Sequence, residues 1–172
     1  ISGDAGQAQW SLISTENINQ VEIIKGATSA LYGSSALNGV INIRTAYPND
    51  KPETKINFHK GNYANANRNS LNWWGLNKRK VYGMDFLHKQ KIDNLDLVIG
   101  GFILEDQGYR YKEVTSRQRV NFNTRYRNPK IDGLSYGLNA NFLFNKTASA
   151  LIWESYELAY IPLDSSVTKT SG

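Results

Sequence analysis

Two histidines are the first residues to test for chemistry, and their placement argues against a metal centre. His59 and His88 lie on separate predicted strands with no acidic cluster beside either, whereas a metal site needs several converging ligands. Cysteine is absent, which excludes a disulfide scaffold, a thiolate zinc site and a cysteine nucleophile. Ser29 sits between Gly26 and Gly33, but the spacing is not a G-x-S-x-G nucleophile elbow and no histidine is paired with it. Gly100-Gly101 is not followed by the Lys-Ser/Thr of a phosphate-binding loop. Asn145-Lys146-Thr147 matches a glycosylation acceptor pattern, which carries no catalysis. With no paired acid, base or nucleophile to name, a β-fold hydrolase has nothing to rest on. The expectation is a protein that is not an enzyme and needs no cofactor or metal.

What remains is binding chemistry, and it is aromatic. Trp73 and Trp74 fall in one long connection, and Trp153, Tyr156 and Tyr160 in another. Such residues can anchor a barrel at the headgroup level, stack on a ligand such as a sugar or an aromatic chelate, or pack the loops on each other. The second reading makes Trp73, Trp74, Trp153 and Tyr156 candidate ligand contacts. Arg125 and Arg127 alternate with apolar residues and would share one strand face, where they could meet an anionic packed segment or an anionic solute. The chain carries 20 basic and 15 acidic residues, a net charge of +5. The excess is scattered, with one short cluster at Lys78-Arg79-Lys80, as on a solvated surface rather than a nucleic-acid groove.

The elements that must position these residues are mostly strands. The chain has 172 residues, 40% hydrophobic and 20% charged, so it is not a disordered tail. No apolar run approaches the roughly 18 residues of a membrane-spanning helix. On Leu134, Tyr136, Leu138, Ala140, Phe142 and Phe144 every second residue is apolar, with Asn139 and Asn141 between them. Val120, Phe122, Thr124 and Tyr126 alternate likewise with Asn121, Asn123, Arg125 and Arg127. Period-two alternation predicts strands, and the turn cluster at 128–133 predicts a hairpin. Further strands are expected over 55–63, 81–91 and 95–105; the last is apolar on both sides, so its faces stay unassigned. The connections alternate between long (64–80, 106–117 and after 145) and short (near Asp93 and 128–133). That alternation, and strands of about ten residues, suit an outer-membrane barrel. A soluble sandwich with a covered apolar face stays open on this pattern alone.

Residues before Pro48 have another texture. Val21–Lys25 and Val40–Thr45 read as short strands, with one helical turn over 29–32 and a tight-turn signal at Asn38-Gly39. Pro48 and Pro52 bound a linker. The segment Glu16 to Thr45, ENINQVEIIKGATSALYGSSALNGVINIRT, resembles the C-terminal part of the plug domain of TonB-dependent outer-membrane receptors. It follows that family's pattern of a strand ending in a basic residue and glycine, then S-A-L-Y-G, then G-V-I-N-I-x-T before the barrel. Lys25 stands where the family has Arg, and Ala27 where it has Pro.

The resemblance implies a mostly β fold with a small α+β plug segment, part of a 22-stranded transmembrane β-barrel with a luminal plug. Residues 1–47 would be the C-terminal part of the plug and 48–172 the first five or so barrel strands. Val40, Ile41 and Ile43 are expected in a buried central strand. Lys25, Glu22 and Arg44 are the expected plug–barrel contacts, with Lys25 meeting strands outside this sequence. The implied function is energy-coupled uptake of a scarce solute of the siderophore-iron, cobalamin or glycan class at the outer membrane of a Gram-negative cell. Implied partners are outer-membrane lipid, the solute, and an inner-membrane TonB-type energy-coupling protein reached through a segment outside this sequence; no nucleic acid is implied. The alternative is a soluble extracellular β-rich ligand-binding module, which would need a second sheet over its apolar face.

Overall fold

A computed structural model describes residues 13–26, 32, 39–150 and 152–172. Two antiparallel sheets hold most of them. The first pairs β1 (Ile18–Lys25) with β2 (Gly39–Thr45). The second is a meander of six strands in sequence order: β3 (Glu53–Asn62), β4 (Lys80–Ile92), β5 (Leu95–Asp106), β6 (Val114–Arg127), β7 (Ser135–Ala150) and β8 (Val167–Ser171). Both sheets are open among the described residues. No described helix is long and apolar enough to cross a membrane, which has no bearing on crossing by strands.

β7 runs to Ala150, beyond the alternating stretch that ends near Asn145. Its last turn of sequence, Thr147 to Ala150, is small and weakly patterned, yet it pairs with β8, and Ala148 and Ala150 are buried. That packing, rather than periodicity, extends the strand. The connections alternate as the sequence implied. Asp93 and Asn94 make the tight turn between β4 and β5, with Asp93 at a φ of 50°, a conformation that aspartate tolerates. The long connections after β3, β5 and β7 all leave from the opposite end.

The ladder register settles the faces. Leu87, Gly100, Asn121 and Asn141 are directly paired across β4 to β7, so they share one side with Lys89, Asp96, Val98, Arg119 and Asn123. On that side Leu87, Val98, Asp96, Arg119, Asn121 and Asn123 are buried. A 3-10 turn at Thr15–Asn17 packs on it, against β4 and β5. The other side carries Ile56, Phe58, Ile103, Val120, Tyr136, Leu138, Phe142 and Phe144, all exposed. Thus β5, apolar on both sides in sequence, has Leu97 and Ile99 on the exposed side and Asp96 and Val98 on the buried one. Hydrophobic side chains facing outward and polar ones inward invert the pattern of a soluble sheet.

The small sheet departs from expectation. Ile41 was expected to be buried, but it pairs with Ile23 on a half-exposed side that also carries Val21 and Ile43. β2 has only β1 beside it among the described residues, and a two-stranded sheet has no interior position to bury it. Of the expected helical turn at 29–32 only Tyr32 is described, helical and exposed; Ser29, Gly33 and Asn38 lie outside the described residues.

Candidate functional site

Two places gather the binding chemistry. The first is a buried joint between the turn at Thr15–Asn17 and the polar side of the large sheet. Glu16 accepts from Arg119 Nη2 at 2.5 Å and from Asn121 Nδ2 at 2.6 Å. Arg119 also donates to the Ile13 carbonyl. The Arg119 and Glu16 side chains are only 4% and 2% exposed, so the pair is fully desolvated. A buried pair of this kind need not add net stability, but removing one partner strands the other charge at a cost of about 3–5 kcal/mol. Strand period places the donors: Arg119, Asn121 and Asn123 continue the face on which Arg125 and Arg127 stand. Gly100 makes the space. A Cβ there would come within 2.5 Å of Asn121 Nδ2.

A second charged cluster ties down the linker at the short-turn end. Asp96, almost wholly buried, accepts from Arg125 Nη2 at 2.8 Å and from Arg127 Nη2 at 2.5 Å. Tyr47 lies under the Arg125 guanidinium, 3.7 Å from ring centroid to Cζ. Asp50 accepts from Lys91 at 3.0 Å. Both arginines sit on the face that alternation predicted, and what they meet is the β5 aspartate and a linker tyrosine.

The second place is an aromatic platform built from the three long connections. Trp73 meets Trp74 edge-on at 5.6 Å and Tyr111 at 5.0 Å. Trp74 stacks parallel to Tyr160 at 6.3 Å, and Tyr160 meets Tyr109 at 5.2 Å. Trp73 Nε1 donates to the Tyr109 carbonyl at 2.9 Å, and the Tyr111 amide to the Tyr160 carbonyl at 2.8 Å. Tyr63 extends the cluster to Tyr109 and donates to both oxygens of Asp106 at 2.9 Å. Burial, then that carboxylate, pushes the Tyr63 hydroxyl up to about 12. Beside the cluster, the Asp164 carboxylate bonded to Lys112 holds that ammonium above its usual range.

The candidate residues thus fall into different roles. Trp74 is buried and Trp73 is held by four neighbours, including Arg79 over its ring. Trp153 and Tyr156 are exposed on the last loop, where Trp153 bridges to Pro162 and Arg68 covers one face of Tyr156 at 4.3 Å. Glu22 and Arg44 pair with each other across β1 and β2 at 3.2 Å, while Lys25 is exposed at the end of β1. His59 and His88 lie on opposite sides of the sheet: His59 crosses Gly83, and His88 bonds to Thr54 at 2.8 Å. Sequence reasoning missed Glu16 and Asp96. The available signals were a lone acid inside the apolar run of β5 and an acid opening the matched segment.

Comparison with known proteins agrees with the part of the chain that makes the buried joint. Residues 1–40 match the family model described as TonB-dependent Receptor Plug Domain. The chain is 40% identical over 72 residues to the Vitamin B12 transporter BtuB of Vibrio vulnificus, covering 42% of this chain and 11% of that protein. It is 48% identical over 46 residues to the protein of the same name from Photobacterium profundum, covering 27% and 8%. Over 122 residues it is 25% identical to the Probable TonB-dependent siderophore receptor PirA of Acinetobacter baumannii, covering 65% and 16%. The chain therefore spans well under a fifth of the length of these relatives. No solved structure matches it. The segment that carries Glu16 lies in the part of the chain that is similar to the plug domain of the TonB-dependent receptors.

Proposed function

We propose that this chain belongs to an energy-coupled outer-membrane receptor that captures and imports a scarce solute. The observation that carries the reading is the buried joint of Glu16 with Arg119 and Asn121. It sets plug-family sequence against the polar side of a sheet whose other side is apolar and uncovered. Such a sheet suits a wall with lipid outside and a plug inside. Residues 1–47 form the end of the plug and 48–172 the beginning of a 22-stranded barrel, whose remaining strands close the two open edges. A soluble binding module would need a second sheet over Phe58, Leu138 and Phe142, and the described residues put none there.

Outer loops receive the solute in this reading. Trp153 and Tyr156 contact it, with Trp73 and Trp74 holding the three loops as one surface. Lys25 meets an acid on a later strand, and the Glu22–Arg44 pair keeps the hairpin that presents it. An inner-membrane TonB-type protein supplies the pull that rearranges the plug. The relatives' names point to cobalamin or an iron–siderophore complex, with glycans as a third class.

The test is uptake by cells producing the full-length receptor, with labelled cobalamin and labelled iron–siderophore offered in turn. The reading expects saturable uptake of one of them that a protonophore abolishes. It also expects Tyr156→Ala with Trp153→Ala to weaken solute binding while the protein stays in the outer-membrane fraction. A receptor recovered in the soluble fraction, or uptake indifferent to the protonophore, would overturn it.

A further inference from the structure

Tyr156 is 77% exposed, yet the backbone that carries it is held. It lies in the turn over 155–158, closed by the Leu158 amide on the Ser155 carbonyl at 3.2 Å. Two donors from the first long connection grip that turn. Arg68 Nη2 donates to the Tyr156 carbonyl at 2.6 Å, and Ser70 Oγ donates to the Glu157 carbonyl at 3.1 Å. The same Arg68 guanidinium covers the Tyr156 ring, 4.3 Å from Cζ to the centroid. One face of the ring is therefore occupied by a cation, and the ring still stands mostly in water. A mounted tyrosine of this kind loses little freedom when something settles on it.

Three more rings of the long connections carry a cation. Arg79 lies over Trp73 at 5.0 Å, Arg110 over Tyr109 at 5.3 Å and Lys112 over Tyr111 at 5.5 Å. Such contacts occur about once in 70–80 residues. Four of them within three loops set this aromatic surface apart from an ordinary one.

We propose that Arg68 is a specificity-determining residue that makes Tyr156 select an electron-rich, anionic aromatic ring of the solute. The inference rests on the import reading and narrows its solute to a chelate built from hydroxylated rings. A bare tyrosine face is electron-rich and attracts the positive hydrogens of a sugar face. A guanidinium on one side draws that density toward itself, so the free side becomes electron-poor. It then repels sugar C–H groups and favours stacking by a ring with surplus density, such as a catecholate. Glu157 lies 3.8 Å from Arg68 Nη1 and is 71% exposed, too loose and too solvated a pair to cancel the charge. A non-aromatic chelate has no ring to stack and gains nothing from this arrangement.

The test is calorimetric binding to the full-length receptor in detergent. The probes are a ferric tris-catecholate, a ferric tris-hydroxamate and the neutral sugar maltoheptaose. The wild type should bind the tris-catecholate tightest. Arg68→Gln should weaken it about two- to fivefold and Tyr156→Leu about tenfold, while Tyr156→Phe keeps it. In the Tyr156→Leu background Arg68→Gln should add no further loss, because the arginine acts through the ring. Boiled and unboiled gel samples should show the same band shift for every variant. Tightest binding of the hydroxamate or the sugar would overturn the inference. So would full catecholate affinity in Tyr156→Leu, which would leave charge alone as the cause, or an equal further loss from Arg68→Gln in that background, which would make the arginine merely structural. Protonophore-sensitive uptake of cobalamin without catecholate binding would overturn this inference and leave the import reading standing. A receptor recovered in the soluble fraction would overturn both.

Discussion

Glu16 is the residue on which the account turns. Its carboxylate pairs with Arg119, and both side chains are sealed from water. Glu16→Ala should therefore break a buried ion pair and cost about 3–5 kcal/mol. The expected outcome in cells is a leakier outer membrane, read as sensitivity to a large antibiotic that intact barrels exclude. Unchanged sensitivity would mean the joint does not hold the plug. Gly100→Ala tests the same contact from the wall. Its Cβ would drive Asn121 away from Glu16, an overpacking cost of about 1–3 kcal/mol. Hydrogen exchange of the turn at Thr15–Asn17 should rise in that variant. None of this was legible from spacing, because the partners are over a hundred residues apart. The polar side of β6 could be read from alternation; the acid that meets it could not.

Alternation was most informative at the scale of the strand. β6 and β7 were legible because apolar and polar residues alternate along most of each strand, with Leu143 an exception, and their faces follow from period two. β5 resisted because its inner side also carries apolar residues, Val98, Phe102 and Leu104, so its two sides look alike in sequence. The charged substitution is the test of facing. Ala140→Arg, on the lipid side of β7, should cost about 2–4 kcal/mol and reduce the folded, heat-shifted band. Asn139→Arg, one residue away on the inner side, should leave that band nearly unchanged. Loops were legible as aromatic but not as a single platform, since contacts among Trp74, Tyr109 and Tyr160 cross three separate connections. Tyr63 reports on that platform through pH. Its hydroxyl pKa is raised to about 12, above the unfolded value near 10. Its contribution to loop stability is thus fully present below about pH 10 and lost as pH rises through 12. Ultraviolet tyrosinate titration should show a late-titrating component that Tyr63→Phe removes. Identical late titration in wild type and Tyr63→Phe would contradict the Tyr63–Asp106 contact.

For the whole molecule, the central claim is that the six-stranded sheet is a membrane wall with its polar side turned to the plug. The measurement that tests it most directly is a spin-label scan along β7, from Tyr136 to Phe144, in the full-length receptor reconstituted in bilayers. Accessibility to oxygen, which concentrates in lipid, is compared at each position with accessibility to a water-soluble relaxation agent. The account predicts strict alternation, with positions 136, 138, 140, 142 and 144 open to oxygen and 137, 139, 141 and 143 shielded from it. Water-soluble agent reaching both sets equally, or the two sets exchanged, would contradict the account.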